Sequence, residues 1–149
     1  MVFGGAVTDT STNSFYLNER DNNVYSGNNT SWIGKIALLY VSDYGYSTSG
    51  NSNVSRSTCL EKDLSFWNSD ELEECRNNSY LYSGKYVEYF LTSDLKTSYQ
   101  FFVVGISGWV VRNANDNGSR YIKPTLFLKS DISIGVGDGT EANPYQLNI

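Results

Sequence analysis

Apolar residues fall in short runs between long polar stretches, and the spacing within each run sets the element it predicts. Phe101–Val104, Trp109–Val111 and Thr125–Leu128 are β-branched and aromatic, are bounded by turn residues, and read as buried strands. A Gly-bounded turn, Gly105–Gly108, joins the first two, and a polar loop, Arg112–Arg120, follows the second. Trp32–Val41 is the longest apolar run, long enough for a strand or a short helix. Gly34 and its β-branched and aromatic content favour a buried strand. Ser42–Gly50 is rich in glycine, serine and aspartate and reads as a turn. In Cys59–Asn68 the spacing of Leu60, Leu64 and Trp67 predicts a short amphipathic helix, which Asp70–Cys75 extends or repeats. Tyr86–Thr92, Asp131–Val136 and Tyr145–Ile149 complete the expected strands, with a turn at Gly137-Asp138-Gly139. Residues 1–31 are polar, with short extended pieces expected at Phe3–Val7, Ser14–Leu17 and around Val24-Tyr25. Asn77–Gly84 reads as a loop with Tyr80, Leu81 and Tyr82 turned inward. No repeat or linker divides the chain, so residues 1–149 read as a single α+β domain with one or two short helices.

Composition narrows the chemistry. Tyr, Phe and Trp make up 15% of the 149 residues, which is too aromatic for a disordered chain. A net charge of −5 argues against nucleic-acid or anionic-membrane partners. The chain contains no histidine. That removes Ser-His-Asp and Cys-His catalysis and His-ligated zinc together. Two cysteines are too few for a Cys-rich metal centre, so no metal and no cofactor is expected. Cys59 and Cys75 read as a disulfide in an oxidising compartment, against the alternatives of two buried thiols or a redox pair. The redox reading lacks a CxxC spacing. Closing that loop constrains the unfolded chain by roughly 3 kcal/mol.

Other motifs carry less. Asp70, Glu71, Glu73 and Glu74 lack the alternating pattern of a calcium loop and read as a solvated face. Asp43 reads as a cap or loop hydrogen-bonding group rather than a catalyst. Gly135–Gly139 is one copy of a pattern that binds calcium only in tandem. Asn28-Asn29-Thr30 is a glycosylation triplet of a kind expected by chance in so Asn- and Ser-rich a chain. No window is apolar enough to span a membrane, and the first residues lack the basic and apolar regions of an export signal, which we expect to have been removed.

Asp43–Gly50 (DYGYSTSG), Arg56–Tyr82 with its Cys–Trp–Cys segment, and Lys123–Leu147 ending in GDGT and PY together resemble a known type of domain. It is a lectin-like domain of unassigned function in surface proteins of Firmicutes and related gut bacteria, often carried behind a prepilin-like N-terminal helix. The resemblance covers residues 32–149. It departs from the usual pattern at Lys123, where Arg is usual, and at Phe90-Leu91-Thr92, where Trp leads. It implies a C-type-lectin-like fold, similar to formylglycine-generating-type domains, mostly antiparallel β with one or two short helices and long loops. It also implies a Cys59–Cys75 bridge, an extracellular or cell-surface location, and a ligand face near Gly108–Tyr121. The Glu-Pro-Asn and Trp-Asn-Asp motifs of calcium-dependent sugar binding are absent.

The leading expectation is therefore a non-enzymatic binding or adhesion module, the globular head of a surface or pilin-like protein. Its partner would be an unidentified protein or glycan, met by Trp109, Arg112, Asn113, Asn115, Asp116, Asn117, Arg120 and Tyr121. For Trp109, flanked by valines, the core reading is favoured over contact, whereas the Asn-rich loop reads equally as a contact site and as a plain solvated turn. The second reading is a pilin-like filament subunit, assembled through a missing N-terminal segment and touching neighbouring copies. A carboxylate enzyme using Asp43, Asp116 or Asp138 is the third; no spacing in the sequence sets two of them face to face.

Overall fold

The computed structural model describes residues 10–19, 34–76, 81–82, 88–94, 100–114, 119–126, 128–140 and 142–148. The first helix, α1 (Thr12–Glu19), begins at Ser11, whose hydroxyl accepts the Ser14 amide at 3.3 Å as an N-cap. Thr12, Phe15 and Glu19 stand at i, i+3 and i+7 and are all buried. Ser14–Leu17, expected as an extended piece, lies inside this helix, while Phe3–Val7 and Val24-Tyr25 fall outside the described residues.

Ser42–Gly50 was expected as a turn, but most of it forms helix α2 (Val41–Tyr46). Tyr40 precedes the helix without a side-chain cap. Glu19 replaces it from α1: its carboxylate accepts the Ser42 amide at 3.1 Å and the Ser42 hydroxyl. A buried carboxylate at a helix start satisfies orphan amides and meets the positive end of the peptide dipoles. Gly45 lets the two helices touch, because a Cβ there would run into the Thr12 side chain. At the other end, Arg56 donates to the carbonyls of Tyr46 (2.8 Å) and Thr48 (3.1 Å) and lies over the Tyr46 ring.

Helix α3 (Arg56–Glu61) is capped by Ser55, whose side chain accepts the Thr58 amide. The expected longer helix stops at Lys62, and Asp63 caps a separate 3₁₀ turn, Leu64–Phe66, by accepting the Ser65 amide at 2.8 Å. Leu60, Leu64 and Trp67 are all buried as their spacing predicted. A second 3₁₀ turn, Glu73–Arg76, brings Cys75 to Cys59; the disulfide is formed, with Cα atoms 5.4 Å apart and both cysteines fully buried. Burial raises the Asp63 pKa, but hydrogen bonds from Thr10 and from the Ser65 amide and hydroxyl outweigh it and hold the carboxyl below its ordinary value. A depressed carboxylate stabilises the fold above its unfolded-state pKa and loses that contribution as pH falls through the folded one. Asp63→Asn is therefore expected to lower the melting temperature at pH 6 but not at pH 2. An unchanged difference between the two proteins across that range would refute the assignment.

The main sheet has the order β4-β3-β2-β5, built from β2 (Tyr89–Asp94), β3 (Gln100–Val104), β4 (Val110–Ala114) and β5 (Tyr121–Ile122). β2, β3 and β4 form an antiparallel meander, and β5 adds parallel to β2. Of the described residues in the expected buried strand Trp32–Val41, only β1 (Ala37–Leu38) pairs, and Val41 already belongs to α2. Its partner is β6 (Pro124–Thr125), whose Thr125 is the one residue of the expected strand Thr125–Leu128 that pairs among the described residues. Leu126 and Leu128 are exposed there, because a two-residue ladder beginning at proline offers no second layer to bury them. The hairpin of β7 (Ser133–Ile134) and β8 (Leu147–Asn148) follows, with positive φ at Gly137 and Gly139 in its turn.

One core joins the helices to the meander: Phe15, Val41, Tyr44, Leu64, Trp67, Tyr89, Leu91, Phe102, Val104 and Val110 pack around the disulfide. Tyr44 touches both the Trp67 and Tyr89 rings, and Phe15 meets Phe102 edge to face at 5.2 Å. Leu81 and Tyr82 pack against this core as expected, and Tyr80 lies outside the described residues. Among the described residues no core side chain comes from beyond Val110. No described helix is long and apolar enough to cross a membrane.

Candidate functional site

The expected ligand face, Gly108–Tyr121, begins at the turn joining β3 to β4. Within the turn, the Gly105 amide donates to the Trp109 carbonyl, and the Gly108 amide to the Gly105 carbonyl. Three consecutive carbonyls then each accept from a different part of the chain. Tyr82 reaches Ile106, Arg76 reaches Ser107 at 2.9 Å, and the buried Tyr44 hydroxyl reaches Gly108 at 2.5 Å. Gly108 has φ +75°, and its missing side chain leaves room for the Arg76 stem. Trp109 lies half-buried with its indole against Gly105, where a Cβ would collide with the ring. This turn is therefore fixed by the core beneath it.

β4 carries the chain away from that turn. At about 3.4 Å per residue, Trp109 and Ala114 are about 17 Å apart along the strand, at its opposite ends. Asn115, Asp116 and Asn117 lie outside the described residues. Arg112 and Asn113 sit within β4, paired by their backbones with Phe102 and Phe101; their side chains also lie outside the described set.

Arg120 and Tyr121 come together where the chain returns to the sheet. Arg120 forms an ion pair with Glu88 at 2.8 Å, and the Tyr121 amide donates to the Glu88 carbonyl at 3.0 Å. Glu88 thereby fixes the start of β5 through both its side chain and its backbone. Tyr121 then projects from the outer strand of the sheet, 65% exposed. Glu88 was not singled out in the sequence; 32 positions separate it from Arg120, and opposite charge alone does not select a partner at that distance.

Behind Tyr121, Lys123 donates to the Leu81 carbonyl at 2.9 Å and stands 4.5 Å from the centre of the Tyr89 ring. Burial lowers the Lys123 pKa. Burial, and secondarily the neighbouring Tyr44, push the Tyr89 hydroxyl well above the usual tyrosine range. These groups anchor β5 from below and leave the Tyr121 ring as an aromatic surface beside a fixed ion pair. Such a surface can stack on a ring or an apolar face and offer adjacent hydrogen bonds.

Of the carboxylates of the enzyme reading, Asp43 and Asp138 lie in different elements. Asp43 lies in the first turn of α2. Asp138 lies in the β7–β8 turn, where it accepts the Thr140 amide at 3.0 Å and its hydroxyl at 2.7 Å. The Thr140 hydroxyl, then its amide and Asn143, hold Asp138 below the ordinary carboxylate range, as suits a turn anchor. Asp116 lies outside the described residues. No family model, no curated protein and no solved structure matches this chain.

Proposed function

We propose that this chain is a non-enzymatic binding module of an extracellular or cell-surface protein, with a C-type-lectin-like fold. Its ligand, a protein or a glycan, would meet the outer edge of the sheet where β5 begins beside the start of β2. The observation that carries this reading is Tyr121, a large aromatic held open to solvent next to the Arg120–Glu88 pair. A half-buried ion pair that fixes an exposed ring reduces the ordering cost of binding. The buried Cys59–Cys75 bridge supports an oxidising compartment. Three short helices and an antiparallel meander sharing one core, with long connections, support the lectin-like reading.

The test is a glycan and protein array probed with the wild type and two variants. Any ligand captured by the wild type should be lost by a factor of about ten or more with Tyr121→Ala, the effect of removing one aromatic anchor. An Arg112/Arg120/Asn115 triple alanine variant should weaken it as well. Unchanged capture by both variants would remove this face from consideration.

A further inference from the structure

The β7–β8 turn contains an Asp-Gly dipeptide, Asp138–Gly139, that the binding face does not use. Such a dipeptide is prone to rearrange, because glycine puts no side chain in the way when its amide nitrogen attacks the preceding carboxyl. The Gly139 nitrogen bonds to Asp138 Cγ, and the amide proton and the carboxyl hydroxyl leave as water, giving a succinimide. Water returned at Cγ restores aspartate. Water returned at the main-chain carbonyl leaves isoaspartate, with the backbone routed through the side chain. No oxidant, reductant or other co-reactant is needed. The turn requires the glycine: Gly139 has φ +80°, and a Cβ there would stand 2.7 Å from the Tyr145 ring. Burial gives no shelter, since Asp138 and Thr140 are both exposed.

We propose that Asp138–Gly139 is an isoaspartate-forming site and that the Thr140 hydroxyl is the guard that keeps it closed. Both reacting groups are occupied. The Gly139 amide donates to the Asn143 carbonyl at 3.2 Å, which opposes loss of its proton and attack by its nitrogen. Asp138 Oδ1 accepts the Thr140 amide at 3.0 Å and the Thr140 hydroxyl at 2.7 Å, which ties the carboxylate to residue 140. The same bonds favour the ionised carboxyl, and a carboxylate lacks the hydroxyl that leaves on ring closure. Thr140 Oγ1 also accepts the Asn143 amide at 3.1 Å. One hydroxyl therefore fixes both the carboxylate and the residue whose carbonyl holds the Gly139 amide. This site is independent of the Tyr121 face, which lies on a different sheet.

The test is incubation of the full chain in neutral buffer over several weeks, with isoaspartate at residue 138 read by electron-transfer fragmentation of the peptide that carries it. The same chain in denaturant gives the unguarded rate. The folded wild type should react about tenfold more slowly than the denatured chain, and Thr140→Val about fivefold faster than the wild type, the factors that one or two hydrogen bonds supply. Thr140→Ser, which keeps the hydroxyl, should match the wild type. The Gly135 and Gln146 amides, bonded across the hairpin at 2.7 and 2.9 Å, should exchange alike in all three proteins. A denatured chain that forms no isoaspartate, or a folded wild type that reacts as fast as the denatured chain, overturns the proposal. So does a Thr140→Val that reacts no faster than the wild type, or a Thr140→Ser as fast as Thr140→Val. Faster exchange of the two hairpin amides in Thr140→Val would assign the protection to the hairpin as a whole, and overturns it equally.

Discussion

Tyr44→Ala is expected to destabilise the protein by about 4 kcal/mol, the range for removing a buried aromatic from a packed core. Tyr44 is fully buried, contacts Trp67 and Tyr89, and holds the β3–β4 turn through the Gly108 carbonyl. Tyr44→Phe keeps the ring and removes only that hydrogen bond, so its cost should be about 1–2 kcal/mol. For a chain of this size, about 2–4 °C accompanies each kcal/mol, so the alanine variant should melt about 8–16 °C lower. Equal losses in the two variants would mean that the hydroxyl, and not the ring, joins helix to turn. A loss under about 1 kcal/mol for alanine would remove Tyr44 from the centre of the core.

Replacing both cysteines with alanine is expected to cost about 3 kcal/mol through the loop-closure entropy returned to the unfolded chain. The bridge spans 16 positions and joins α3 to the turn that carries Arg76, so its loss also frees a clamp on the β3–β4 turn. The melting temperature should fall by about 6–12 °C. A reducing agent should lower the wild type toward the double variant and leave the variant unchanged. Identical melting of the two oxidised proteins would show that the bridge adds nothing to stability.

The strands β2, β3 and β4 and the disulfide were legible because each rests on a local pattern: β-branched runs bounded by glycine, and an even cysteine count. The first helix was not. Its buried face is Thr12, Phe15 and Glu19, so two of the three inward positions are polar and the helical stripe disappears from a hydrophobicity reading. Glu19 is buried because α2 supplies its hydrogen bonds, and α2 starts without a side-chain cap of its own because α1 supplies Glu19. Each helix is explained by the other, and neither by its own residues. Gly45 reads as a helix breaker until Thr12 is seen against it. Of the candidate site, Arg120 and Tyr121 share one place beside the edge strand β5, whereas Trp109 precedes β4 at the other edge of the sheet; a count along the sequence does not show that β3 and β2 lie between them.

The ladders that hold the C-terminal fifth of the chain set an order of opening. β5 joins β2 through two residue pairs, and β6 joins β1 through two more. The bond from the Thr125 hydroxyl to the Ala37 carbonyl closes a span of 88 residues, against 16 for the disulfide. That difference in span alone adds about 1.5 kcal/mol to the entropy of closure. A contact so costly to close and so short is the last to form and the first to exchange its amide protons. Residues from Tyr121 onward can therefore swing out while the core around Tyr44 stays folded, a sub-global opening that native-state hydrogen exchange would resolve as a separate, faster class of amides.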